Sequence, residues 1–130
     1  MRKCKIGIIG LGTVGSGIYK ILSSEVDSHP ILREIEIVKI AVKDLSKKRD
    51  IELDNNLLTD DPLELINDPS IDVIVEVMGG VDLAKDISLQ SLKSGKSVVT
   101  ANKAVLARYG EEIYKTASKE GVYVLSLIHI

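Results

Sequence analysis

Hydrophobic and polar positions along the chain follow two alternating periods. Short apolar runs, typical of buried strands, are separated by stretches in which apolar residues recur every three or four positions, as on one face of a helix. This pattern predicts strands at 5–9, 35–42, 71–78, 97–100 and 122–125, and helices at 13–26, 62–66, 83–94 and 110–120. Short helical material is expected before the last helix, and an irregular connection over 50–61. Strands that alternate with helices in this way are joined by right-handed crossovers, so we predict one α/β domain with a doubly wound parallel sheet.

The first predicted strand runs directly into three glycines, Gly10, Gly12 and Gly15, which have the spacing G-x-G-x-x-G. The residues after them have the apolar periodicity of a helix, so the motif lies between a strand and a helix. In that context Gly10 allows a tight turn, Gly12 lets the main chain approach a pyrophosphate, and Gly15 lets the helix pack closely on its strand. The N–H groups at the start of the helix favour phosphate. We therefore predict a Rossmann-type dinucleotide site, with an ordinary glycine turn as the alternative.

The composition argues against several other classes of function. The 130 residues carry a net charge of −2, with no Trp, no Phe and four Tyr, so neither charge nor aromatic platforms favour nucleic acid or an anionic membrane surface. The apolar runs are far shorter than a membrane span, and the N-terminus does not resemble a signal peptide. The single Cys4 has no internal disulfide partner. We expect a cytoplasmic protein with no metal site.

In a sheet of this kind, ligands bind beyond the carboxyl ends of the strands, near the switch in strand order. Besides the glycine loop, this rule selects Lys43-Asp44 after the second predicted strand. It also selects Met78-Gly79-Gly80 after the third strand and Thr100 to Lys103 after the fourth. Because all four segments follow strand ends, they can converge on one extended cofactor.

The end of the second strand normally distinguishes the two nicotinamide cofactors. An acid there binds the ribose 2′-hydroxyl of NAD, and a cation accommodates the 2′-phosphate of NADP. Lys43 comes first at this position and Asp44 follows it. Lysine is a point charge suited to phosphate, so NADP is predicted, and Asp44 keeps NAD open. The basic residues at 47–49 are equally well explained as a solvated surface.

Glu76 and Lys103 are two charged residues of these segments whose positions call for an explanation. Glu76 lies in an otherwise apolar run, where an acid is costly unless it is hydrogen-bonded. We expect it to have a partner in the loops and a structural role at the Gly79-Gly80 turn. Lys103 follows the fourth strand, where a nicotinamide would lie, and its ammonium could orient a substrate oxygen or assist proton transfer. Its position alone is equally compatible with an ordinary surface lysine.

Four segments of the chain carry a family resemblance: IGIIGLGTVGSG at 6–17, IAVKDLSKKR at 40–49, DVIVEVMGG at 72–80 and SGKSVVTANKAVLARYG at 94–110. In this order, and over nearly the whole chain, they resemble the cofactor-binding half of homoserine dehydrogenase. The E-x-x-G-G and TANKA stretches are more discriminating than the glycine loop. The resemblance implies reversible NAD(P)-dependent interconversion of homoserine and aspartate semialdehyde, a step of threonine and methionine biosynthesis.

The resemblance also implies roles for individual residues. The pyrophosphate would be bound by Gly10, Gly12, Thr13, Val14 and Gly15. Lys43 would lie near the adenosine phosphate, where this family often has Arg. The nicotinamide end would be lined by Met78, Gly79, Gly80, Thr100, Ala101, Asn102 and Lys103. Lys103 would also face the substrate as a catalytic residue.

The family continues past this length with an acidic, glycine-rich segment and then a substrate and dimerisation domain, which supplies a further catalytic Asp and Lys. The last six residues, LSLIHI at 125–130, do not resemble that continuation and look like a translated sequencing adaptor. We therefore expect an NAD(P)-binding domain at 1–124 with a non-native tail, no turnover by the chain alone, and a homodimer for the full-length enzyme.

Two alternatives to this interpretation stay open. The chain could be a non-catalytic nucleotide-sensing module, although TANKA and the Gly79-Gly80 turn argue against a pure sensor. It could also come from a related amino-acid or semialdehyde dehydrogenase, because the missing domain would set the substrate.

Overall fold

A computed structural model describes residues 4–10, 35–43, 57–78 and 80–126, and within these the strands form one parallel sheet. The strands are β1 (Cys4–Ile9), β2 (Ile35–Ala41), β3 (Leu58–Thr59), β4 (Val73–Glu76), β5 (Ser97–Thr100) and β6 (Val124–Ser126). Their order across the sheet is β3-β2-β1-β4-β5-β6. This is the order of doubly wound dinucleotide-binding domains. The predicted Rossmann-type α/β fold is confirmed.

Three helices are described: α1 (Pro62–Ile66), α2 (Asp82–Lys93) and α3 (Lys103–Glu120). Asp61 caps α1 by accepting a hydrogen bond from the Leu63 N–H, and proline is tolerated at the first helical position. Gly121 ends α3 in the left-handed conformation, with a φ of 70°. These starts and stops agree with the sequence pattern.

The core consists of two apolar clusters, one on each face of the sheet. Successive side chains of a strand point to opposite faces. In β4, Ile74 therefore packs with the helices, whereas Val75 joins the second cluster with Ile8 and Ile40. Burial of both faces explains why β4 is an almost continuous apolar run, as is usual in parallel sheets.

Besides bounds that shift by one or two residues, the structure differs from the predicted elements in two respects. Residues 58 and 59, expected in an irregular connection, form β3 and pair with β2. Two residues are too few to show an alternating pattern. Helix α3 is continuous through Gly110, where two separate pieces were expected. Val105, Ile113 and Ala117 of α3 pack into the core and offset the low helix propensity of a single glycine.

Several predicted features lie outside the described residues. They include the predicted helix at 13–26, the glycine loop after Gly10, and residues 127–130 of the suspected tail. Residues 125 and 126 of that tail belong to β6, where they pair with Val99 and Thr100 of β5. Their non-native origin stays a prediction.

Candidate functional site

The carboxyl ends of β1, β2, β4 and β5 lie side by side at one edge of the sheet, which we call the carboxyl edge. Gly10, Lys43, the segment from Met78 to Gly80 and the segment from Thr100 to Lys103 all follow these strand ends. The strand order reverses between β1 and β4, so the crevice that binds ligands in such sheets opens beside Gly10. The edge therefore brings together the described members of the predicted site.

Gly10 is fixed in a conformation that only glycine adopts readily. Its φ is 98°, and a Cβ added there would lie 3.0 Å from the Met78 nitrogen and 3.1 Å from the Val77 carbonyl carbon. Its N–H donates a 2.8 Å hydrogen bond to the Ala41 carbonyl. Gly10 thus lies against the ends of both β2 and β4, with the positive φ that favours glycine; the tight turn predicted to follow it lies outside the described residues.

Lys43 lies two residues beyond Ala41, and its side chain is exposed. Because Ala41 is hydrogen-bonded to Gly10, Lys43 flanks the start of the glycine loop. Asp44, its predicted competitor, lies outside the described residues, as do Gly12, Thr13, Val14, Gly15 and Gly79.

Glu76, the last residue of β4, is completely buried. Its Oε1 accepts a 2.9 Å hydrogen bond from the Met78 N–H, and its Oε2 accepts a 2.6 Å bond from the Thr100 hydroxyl. The expected partner in the loops is confirmed by Met78. Burial raises the pKa of Glu76, whereas the hydrogen bonds from Thr100 and Met78 act in the opposite direction.

Thr100 and Asn102 continue this set of hydrogen bonds into the next loop. The Thr100 Oγ1 accepts a 3.0 Å bond from the Asn102 N–H. The Asn102 side chain caps α3 through a 3.1 Å bond from the Val105 N–H and donates through Nδ2 to the Gly80 carbonyl. The Ala101 N–H donates to the Glu76 carbonyl at 3.1 Å. The loops after β4 and β5 are therefore tied together.

Gly80 and Lys103, one from each of these two loops, are exposed. Gly80 is exposed with a φ of 93°, and among the described residues, its chain neighbours aside, no atom lies within 4 Å of the position that a Cβ would take. Lys103 is the exposed first residue of α3. Free space beside a glycine main chain fits the close approach of a ligand. The described residues therefore fit a dinucleotide.

Sequence reasoning missed the second role of Asn102 and the buried position of the Thr100 side chain. Asn102 stands directly before a helix, which is the usual signal of an N-cap, but nothing local indicated its contact with Gly80. Thr100 is 1% exposed and its hydroxyl is engaged as both donor and acceptor. Any contact of Thr100 with a cofactor would therefore use its main chain.

The described residues show neither a metal-binding cluster nor a helix that could cross a membrane. Those residues hold no group of three His, Cys, Asp or Glu side chains that could bind a metal ion. In the same ranges, no helix has both the length and the apolar character needed to cross a membrane.

The chain is similar in sequence to homoserine dehydrogenases. Residues 10–126 match the family model for the homoserine dehydrogenase NAD binding domain. The homoserine dehydrogenase of Synechocystis sp. is 47% identical over 121 residues, and that of Bacillus subtilis is 42% identical over 123 residues. Each alignment covers 93% of this chain but 28% of the relative.

Solved structures give the same result. The S. aureus homoserine dehydrogenase at pH 7.5 matches with a TM-score of 0.86 and 39% identity, covering 100% of this chain and 33% of that one. The homoserine dehydrogenase of Thiobacillus denitrificans matches with a TM-score of 0.84 and 38% identity, covering 97% of this chain and 30% of that one. The chain thus spans about a third or less of the proteins it resembles.

Proposed function

The chain belongs to the homoserine dehydrogenase family, within which it is an NAD(P)-binding domain, and from this membership we propose that it is the cofactor-binding part of a longer enzyme. That enzyme would interconvert L-homoserine and L-aspartate 4-semialdehyde, with the nicotinamide accepting or donating the hydride. The observation that carries the proposal is the convergence of Gly10, Lys43 and the two tied loops at the carboxyl edge. Only a ligand as long as a dinucleotide would use all of them.

The order of the strands suggests how the cofactor would lie. Gly10, with the predicted Gly12, Thr13, Val14 and Gly15, would hold the pyrophosphate at the end of β1. The adenosine half would extend toward Lys43 on β2, and the nicotinamide half toward Met78, Gly79 and Gly80 after β4 and Thr100 to Lys103 after β5. This direction follows from the neighbouring positions of these strands.

We infer a preference for NADP from Lys43. Its exposed ammonium beside the glycine loop could pair with the 2′-phosphate that NAD lacks. Lysine binds phosphate as a point charge and lacks the bidentate geometry of arginine, so the preference would be moderate.

Lys103 is our candidate for the residue that acts on the substrate. It is exposed at the first position of α3, and Asn102 ties the start of that helix to Gly80. An ammonium held beside the nicotinamide end would orient the reacting substrate oxygen and stabilise charge that develops on it.

The remaining parts of the reaction would come from the portion of the enzyme that this chain does not span. We propose that this portion binds homoserine or the semialdehyde and forms a homodimer interface. The chain alone should therefore bind the dinucleotide without turning over substrate. A cytoplasmic location would fit these metabolites.

A titration of the purified chain with NADPH and with NADH, followed by nicotinamide fluorescence, tests the proposal. We expect saturable binding, with NADPH bound more tightly. Lys43→Ala should weaken NADPH about tenfold, because one charged contact to phosphate is lost, and leave NADH within about twofold. Lys93→Ala is the matched control, because it removes an exposed lysine from the last turn of α2, at the opposite edge of the sheet.

Each other outcome counts against a particular part of the proposal. Tighter NADH binding that is indifferent to Lys43 would overturn the NADP preference and favour Asp44. A folded chain that binds neither dinucleotide would overturn the cofactor site itself. Reduction of NADP by the same sample after addition of homoserine would contradict the need for the rest of the enzyme.

A further inference from the structure

A continuous set of hydrogen bonds runs from the buried Glu76 to the start of α3. The Glu76 carboxylate accepts from Met78 and Thr100, Thr100 accepts from Asn102, and Asn102 donates to Gly80. The same Asn102 caps α3, whose first residue is Lys103. One buried carboxylate is thereby connected to both loops at the nicotinamide end of the proposed site.

The chemistry of these bonds requires an acceptor with two free oxygens at position 76. An ionised carboxylate accepts only, so it can serve the Met78 N–H and the Thr100 O–H together. The hydroxyl proton of Thr100 is then committed to Glu76, which leaves the Thr100 oxygen lone pairs for the Asn102 N–H. A carboxamide at position 76 would present an NH2 group to one of two donors. Either Met78 or Thr100 would then lose its acceptor.

Burial makes this requirement strict. Glu76 is 0% exposed and Thr100 is 1% exposed, so water does not replace a lost bond. A buried polar group without a partner is unfavourable, and the loops would shift to relieve it. Since Asn102 links Thr100 to Gly80, such a shift would move the edge on both sides of the nicotinamide end.

We propose that Glu76 is a positioning residue for the nicotinamide half of the cofactor. It acts through Thr100 and Asn102, which set the distance between the Gly80 main chain and the start of α3. This inference rests on the proposed dinucleotide function and adds a residue that never needs to touch the cofactor. It also assigns Thr100 and Asn102 to the same device, with their side chains directed at the protein.

The hydrogen bonds of Glu76, Thr100 and Asn102 should affect binding of the nicotinamide half of the cofactor only. Glu76 ends β4, and Lys43 follows β2, with β1 between these two strands. At about 4.8 Å per strand, β5 lies about 14 Å from β2 across the sheet, so a shift of the loop that carries Thr100 and Asn102 leaves Lys43 and the adenosine subsite in place. A general loss of stability would not separate the two halves.

The experiment compares two probes on the 130-residue chain: NADPH, and 2′,5′-ADP, which has the adenosine half without nicotinamide. Glu76→Gln is expected to weaken NADPH about tenfold or more and 2′,5′-ADP less than twofold. Thr100→Val, which removes the hydroxyl at nearly constant shape, should reproduce this split. Thr100→Ser, which keeps the hydroxyl, should restore tight NADPH binding.

Ser91→Ala serves as the matched control. Ser91 is completely buried in α2 and donates a 2.7 Å bond to the Ile87 carbonyl, near the opposite edge of the sheet. Its loss should reduce stability and leave both probes bound as in wild type. Thermal unfolding of every variant establishes that it is folded at the assay temperature. If Glu76→Gln does not fold, the comparison of Thr100→Val with Thr100→Ser tests the inference.

Three results would overturn the inference. NADPH affinity unchanged in Glu76→Gln and Thr100→Val would remove the positioning role while leaving the proposed function intact. Equal weakening of NADPH and 2′,5′-ADP would reduce Glu76 to a general structural residue. A wild-type chain that binds neither probe would remove the proposed function, and the inference with it.

Discussion

Both edges of the sheet bury an ionisable side chain, and the two differ in what that side chain holds. Lys96 precedes β5 at the edge where the strands begin, the amino edge, and Glu76 ends β4 at the carboxyl edge. Lys96 is 4% exposed and Glu76 is 0% exposed, so each is expensive to bury without partners. Their partners are of different kinds.

At the amino edge, the hydrogen-bond partners of Lys96 within the described ranges are main-chain carbonyls. Its Nζ donates at 2.6 Å to the Asp68 carbonyl and at 2.8 Å to the Ile71 carbonyl. Both acceptors belong to the connection between α1 and β4, which Asp68 also closes by accepting from the N–H and hydroxyl of Ser70. The charge therefore closes a turn and reaches no further.

At the carboxyl edge, the partners of Glu76 have partners of their own. Thr100, which donates to Glu76, also accepts a hydrogen bond from the Asn102 N–H. Asn102 in turn bonds to the Gly80 carbonyl and caps the start of α3. The result connects the loops that follow β4 and β5 at the carboxyl edge. The comparison indicates that a buried charge stabilises the fold when its hydrogen bonds end within one turn. It positions a binding site when its hydrogen bonds extend into loops that a ligand would contact.

The largest expected effect comes from substituting Gly10, at the carboxyl edge. Gly10→Ala places a methyl group 3.0 Å from the Met78 nitrogen and forces a side chain into a φ of 98°. Dinucleotide binding should fall at least about a hundredfold, because both the strain and the contact disturb the crevice. The measurement is the NADPH titration.

Gly121→Ala is the control for strain alone. Gly121 has a φ of 70°, but in the part of the chain that the structure describes no atom beyond its chain neighbours lies within 4 Å of its Cβ position. This variant should lose about 1 kcal/mol of stability and keep its affinity for NADPH. Loss of binding in Gly121→Ala would show that any strained glycine disables the domain, and the distinction between the edges would fail.

A smaller effect is expected from Lys96→Met, which keeps the apolar stem and removes the charge. The Ile71 carbonyl loses its Lys96 donor and the Asp68 carbonyl keeps only the Ile71 N–H, so the free energy of unfolding should fall by about 2 kcal/mol. Urea unfolding measures this change. NADPH affinity should stay within about twofold of wild type at a temperature where the variant is folded. Weaker binding without a loss of stability would contradict the assignment of Lys96 to stability.

The smallest expected effect is a pH dependence at the amino edge. The hydrogen bonds from Ser70 lower the pKa of Asp68, so the carboxylate adds stability above its unfolded pKa of about 3.9. That contribution is lost as the pH falls through the folded pKa. Asp68→Asn should therefore be less stable than wild type at pH 7, by under about 1 kcal/mol because solvent screens the group.

Urea unfolding of both proteins between pH 7 and pH 3 measures this difference. The gap between wild type and Asp68→Asn should close as the pH drops below about 4. A gap that stays constant over this range would assign the effect to packing and leave charge at this turn without a role.

The sequence by itself determined the fold class, and it predicted where the crevice lies and which residues line it. The alternation of buried runs with helical periods is a local property, so it can be recognised without tertiary structure. The rule that ligands bind beyond the carboxyl ends of parallel strands then selected Gly10, Lys43, Met78, Gly80 and Thr100 to Lys103. The buried Glu76 could also be expected to have a partner, because an isolated acid in an apolar run is too costly.

Only the tertiary structure decided which groups meet. Glu76 and Thr100 are paired because β4 and β5 align in one particular register, and a shift of one residue would send one of them to the other face. The contact between Asn102 and Gly80 depends on that same register. The two-residue β3 forms because its main chain pairs with the neighbouring strand β2. Helix α3 continues through Gly110 because residues on both sides of that glycine pack into the core. These outcomes depend on contacts between distant residues, which local periodicity does not encode.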